Sequence, residues 1–93
     1  MAEGPRLGPN PATVADLLAR IDDVVAGRLD LEGLRAWVAA HRREVAAGGG
    51  PGARWLCDRV TDQLAVVTNR RNAEDLAKAA LREVRARYRL RWA

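Results

Sequence analysis

Residues 24–34 read VVAGRLDLEGL and residues 66–76 read VVTNRRNAEDL, one frame of Val-Val-x-(Gly/Asn)-Arg-x-(Asp/Asn)-x-Glu-x-Leu repeated after 42 residues. Each part has a mechanical meaning. Gly27 and Asn69 suit the left-handed position just past a helix end. Asp30 and Asn72 suit the cap of the next helix, and Glu32 and Glu74 fall in its first turn, where negative charge meets the helix dipole. The chain therefore reads as a helical hairpin made twice. The repeat is imperfect, since Leu17 and Ile21 correspond to Arg59 and Gln63 in the second copy, and either duplication or convergent turn chemistry would produce it.

The apolar periodicity fills in the rest. Val14, Leu17, Leu18, Ile21, Val24 and Val25 make a helical stripe, entered either at Asn10-Pro11 or at the capping-box-like pair Thr13/Asp16. A second helix over about 31–47 faces inward with Leu31, Leu34, Val38, His41 and Val45, with Trp37 beside them. GGGPG at 48–52 is the strong breaker and reads as the linker between hairpins. A third helix over about 53–68 turns Leu56, Val60, Leu64 and Val67 inward. A fourth runs from Ala73 with Ala73, Leu76, Ala77, Ala80, Leu81, Val84 and Tyr88 inward. The expected fold is all-α, a four-helix bundle of two antiparallel hairpins, 11–47 and 53–93, behind a flexible arm at 1–10.

With 93 residues, three Trp, one Tyr and no Phe, the interior must be mostly Leu, Val and Ala, which favours close helix packing over a deep ligand pocket. Cys57 is alone, so no disulfide framework or cysteine metal site is expected. The first residues, MAEGPRLGPNP, have neither the charged start nor the apolar stretch of a signal peptide, and no apolar run reaches membrane-spanning length. The expectation is a cytoplasmic, non-membrane protein. The Ala, Gly and Arg abundance fits a GC-rich genome.

Charge is uneven. Residues 1–69 carry eight Arg against nine acids, whereas residues 70–93 carry seven Arg and one Lys against three acids. On a helical wheel Lys78, Arg82, Arg85 and Arg89 fall in a band about 60° wide. Tyr88 and Trp92 alternate with them, a mixture that stacks on bases and pairs with phosphates, or supplies hot spots to a protein interface. Arg87 and Arg91 come round on the inward side, so the last turns are expected to outrun the core and project or fray. These six residues, Lys78, Arg82, Arg85, Arg89, Tyr88 and Trp92, are the candidate binding residues. The alternative is an ordinary solvated face whose cations favour the helix C-terminus.

Other residues point less to chemistry. His41 reads as a core-edge histidine satisfied by a carbonyl or carboxylate, against a role as base or pH sensor. Cys57 reads as a small buried hydrophobe, against a helix-activated thiol. Asp58 and Asp62 share a helix face at i, i+4, but Arg54 and Arg59 nearby make a salt-bridged surface the better reading than a metal site. GGGPG lacks the Lys-Ser/Thr ending of a phosphate loop. No catalytic, metal or cofactor site is expected.

The first hairpin, LLARIDDVVAGRLDLEGLRAWV at 17–38, resembles small bacterial immunity-type proteins, compact helical domains that bind and neutralise a partner toxin. The resemblance implies a helical protein-binding role. Inhibitors of nucleases present acidic surfaces, whereas this tail is basic, so the implied partner is acidic or is not a nuclease. The expected function is a non-catalytic interaction module of inhibitor, immunity or adaptor type, monomer or homodimer. The alternative is nucleic-acid binding through the Arg-rich C-terminal helix. Groove reading by a helix-turn-helix is disfavoured, because both helix starts carry acids at Glu32 and at Glu74-Asp75. The thin apolar face of the third helix, with Trp55 at its start, leaves room for a dimer contact.

Overall fold

The computed structural model describes residues 11–65 and 73–92. The readings of the arm at 1–10, of Val67, Asn69, Arg70 and Asn72, and of the helix end near Thr68 lie outside those residues. The described chain is all-helical: α1 (Val14–Val25), α2 (Leu31–Ala65) and α3 (Ala73–Trp92).

Thr13 decides where α1 begins. Its hydroxyl accepts from the Asp16 amide at 3.3 Å, and its own amide donates to Asp16 Oδ2 at 2.9 Å, a closed capping box. Gly27 ends the helix at φ 84°. The Gly27 amide donates to the Val24 carbonyl at 3.1 Å and the Arg28 amide to the Asp23 carbonyl at 2.8 Å, which together form a Schellman turn. Asp30 then caps α2 by accepting from the Gly33 amide at 2.7 Å. Arg28, which the capping scheme left without a role, donates from Nε to Asp23 Oδ1 at 2.9 Å and ties the turn to the helix it closes.

The described residues trace three helices rather than four separate ones, because the second and third expected helices run together as the two arms of α2, joined at Gly50. The glycine run is not a loop. Helix continues through Gly48 and Gly49 and resumes at Pro51, and the break shrinks to Gly50, at φ 71° and ψ −157°. Only glycine occupies that region without strain, and a proline immediately after it suits a first helical turn, where its missing N–H costs nothing. One residue therefore redirects the chain, and the residues of α2 on either side of it fold back on each other. Arg35 Nη2 donates to the Leu64 carbonyl at 2.8 Å, and Arg42 Nη2 meets Asp58 Oδ1 at 3.0 Å.

Every helix packs against both others. Leu17, Ile21 and Val24 of α1 meet Leu34, Val38 and Val45 before the bend, Ala53, Leu56, Val60 and Leu64 after it, and Leu81 and Val84 of α3. A fully buried leucine or valine of this kind contributes about 1.5–3 kcal/mol. Leu76, read as inward, stands 49% exposed on a flank of α3. At roughly 100° per residue it points about 100° away from Ala77 and further still from Leu81, so apolar character alone misplaced it.

A candidate interaction surface on the C-terminal helix

The four cations of the expected stripe do not share one environment. Lys78 Nζ lies 3.9 Å from Glu74 Oε2, one turn back on its own helix. Arg85 reaches α1, where Nε and Nη2 donate to Asp22 Oδ1 and Oδ2 at 3.0 and 3.3 Å. These two lie on the flank of α3 that turns towards α1. Arg82 and Arg89 are exposed, and no carboxylate among the described residues pairs with either. The stripe thus divides into two engaged cations and two open ones.

The aromatic pair is also engaged. α3 stays helical through Trp92, which corrects the expectation that its last turns project or fray. Trp92 packs on Trp55 with ring centroids 5.0 Å apart and on Tyr88 at 5.8 Å, and its indole covers Gly52 closely enough that an added Cβ would fall 2.7 Å from Trp92 Cγ. Trp55 therefore meets the chain's own C-terminal helix, where the sequence reading left it free for a dimer. Arg91 lies over the Trp92 ring at 4.9 Å, and Arg87 pairs with Glu83 at 3.0 Å. Both are exposed, whereas the wheel had turned them inward.

The exposed side of α3 that carries Arg82 and Arg89 along one edge also bears two leucines that sequence reasoning missed as surface residues, Leu76 and Leu90, the latter 88% exposed. Leu90 sits between two arginines in the chain, and that mismatch of an apolar residue on a basic face was the available signal. Asp75, Ala79, Glu83 and Ala86 complete this exposed face.

The remaining candidates are quiet. His41 is half-buried, its Nδ1 is 2.9 Å from Glu44 Oε1, and its ring sits 4.7 Å from Trp37. Cys57 is buried with its thiol facing the Arg42 carbonyl at 3.9 Å, and burial pushes its pKa above the ordinary thiol range, with Arg42 pulling the other way. Asp58 and Asp62 are salt-bridged to Arg42 and Arg59 at 3.0 and 3.4 Å. Among the described residues no group of three or more His, Cys, Asp or Glu side chains is placed to hold a metal, and no helix is long and apolar enough to cross a membrane. A groove of about 280 Å³ lies between the two arms of α2, lined by Val38, Ala39, Thr61 and Leu64. Its rim arginines, Arg35 and Arg42, are already held by Glu32 and Asp58.

No protein-family model, curated protein or solved structure matches this chain.

Proposed function

We propose that this chain is a non-catalytic protein-interaction module, of small inhibitor, immunity or adaptor type, that docks an acidic partner surface on the outward face of α3. One observation carries the reading: two exposed leucines and two arginines without carboxylate partners among the described residues share that face. Apolar anchors beside open guanidiniums are the composition of a protein interface, with arginine supplying directed contacts to carboxylates. The immunity-type resemblance of residues 17–38 belongs to the same class of object. A lone cysteine fits a reducing, cytoplasmic compartment.

Nucleic-acid binding, the alternative, keeps the cationic end of α3 but has weaker support from the aromatics. Trp92 is stacked on Tyr88 and packed at a tilt against Trp55, so base stacking would require that cluster to open.

The test is capture of a partner from host extract by the intact chain and by Arg82→Glu/Arg89→Glu, beside a gel shift with mixed-sequence DNA and RNA at about 50 mM salt. A capture lost in the double variant, with no gel shift, supports the proposal. Equal capture by both proteins would overturn it, and a steeply salt-dependent gel shift would transfer the reading to nucleic acid.

A further inference from the structure

We infer that the outward face of α3 is self-complementary and that a second copy of this chain occupies it, the two α3 helices lying antiparallel. The inference rests on reading that face as a docking surface and adds a second occupant, which competes there with the acidic partner.

Two spacings carry it. Leu76, Ala79, Glu83, Ala86 and Leu90 are all exposed and follow one another at intervals of three and four, the spacing of a helix–helix seam. Along one edge of that seam, Asp75, Arg82 and Arg89 recur every seven residues, and all three are exposed with no ion-pair partner among the described residues. A parallel pair would set Glu83, inside the seam, against its own copy and bring Arg82 beside Arg87 of the partner subunit, like charges in both cases. An antiparallel pair brings like edges together with the order reversed. Asp75 then faces Arg89 of the partner subunit at both ends, and at the centre Arg82 meets its own copy with Glu83 of the partner subunit beside it. The register that opposes Leu76 to Leu90 is offset by two residues, about 3 Å, from the one that opposes Asp75 to Arg89, a gap that long arginine side chains span. Alanines at 79 and 86 let the helix axes approach, and the opposed helix dipoles add to the preference. Charge selects the antiparallel orientation.

The seam from residue 76 to residue 90 spans about 21 Å, so the interface is small and the association belongs to the weak class. Sedimentation equilibrium from about 10 µM to 1 mM covers that range. The expected result is a mass rising with concentration from 10.2 kDa towards twice that value. Asp75→Arg and Arg89→Asp should each weaken the dimer about tenfold or more, and the two combined should restore it. All three variants alter exposed positions, and unchanged helical circular dichroism checks that they fold. A chain that stays monomeric to 1 mM overturns the inference, as does a dimer indifferent to both single changes. If the chain is monomeric yet Arg82→Glu/Arg89→Glu still abolishes acidic-partner capture, the self-pair falls and the docking surface stands.

Discussion

Arg85 of α3 and Asp22 of α1, 63 residues apart in sequence, form a two-pronged ion pair, with Nε–Oδ1 at 3.0 Å and Nη2–Oδ2 at 3.3 Å. The pair joins the first and last described helices and takes one cation out of the basic stripe. Both side chains remain partly open to solvent, at 35% and 48%, so screening limits what the pair contributes. Arg85→Ala is expected to change unfolding free energy by less than about 1 kcal/mol, read by urea denaturation. It is also expected to leave partner binding within about twofold, because Arg85 faces α1 and not the docking face. A loss as large as that of Arg82→Glu would return Arg85 to the binding set.

The bend of α2 isolates a backbone effect. Gly50 holds φ 71° and ψ −157°, so Gly50→Ala is strained whatever space surrounds it and is expected to cost about 1–3 kcal/mol. Gly48 is helical and exposed, and a Cβ there meets nothing within 4 Å. Gly48→Ala should stabilise by about 0.4–1 kcal/mol. Opposite signs from two glycines two residues apart, measured by the same urea titrations, would locate the bend at residue 50.

Much of this architecture was legible in local chemistry. Thr13, Gly27 and Asp30 act through contacts within a few residues of themselves, and their positions follow from sequence alone. The composition of GGGPG marked a break but not its size, because whether a glycine continues a helix depends on what its neighbours pack against. The candidate surface was legible only in part. The wheel grouped Lys78, Arg82, Arg85 and Arg89, yet which of them stays open depends on Asp22, a residue on another helix. The Trp55–Trp92 contact has the same character, as no periodicity reports a pairing between α2 and α3. Leu76 was placed inward because it is apolar, which is a one-way rule.

Gly52 and Trp92 form a matched pair. With a Cβ only 2.7 Å from Trp92 Cγ, Gly52→Ala should displace the indole and cost about 1–3 kcal/mol. Near-ultraviolet circular dichroism would show the loss of the aromatic cluster. In a Trp92→Ala background the same change should be close to neutral, and that non-additivity is the decisive reading. Equal costs in both backgrounds would mean that Gly52 is held by something other than Trp92.

Cys57 makes a pH-dependent expectation. Burial raises its pKa, so the folded chain keeps a proton that the unfolded chain releases. Stability from this group is full below the ordinary thiol pKa and declines as pH rises above it towards the folded value. Thiol labelling at pH 8 should be slow in the native chain and fast in urea, and Cys57→Ser should flatten the alkaline decline. Rapid labelling of the folded protein would indicate an accessible thiolate instead.

The docking face itself is tested most directly by amide chemical-shift mapping of the labelled chain as a Glu-rich polypeptide is added. Shifts are expected to concentrate on residues 75–90 of α3, strongest near Arg82 and Arg89, small at the core-facing Ala77, Leu81 and Val84, and suppressed in Arg82→Glu/Arg89→Glu. Shifts centred on α1 or on the α2 bend, or a map unchanged by the double variant, would contradict it.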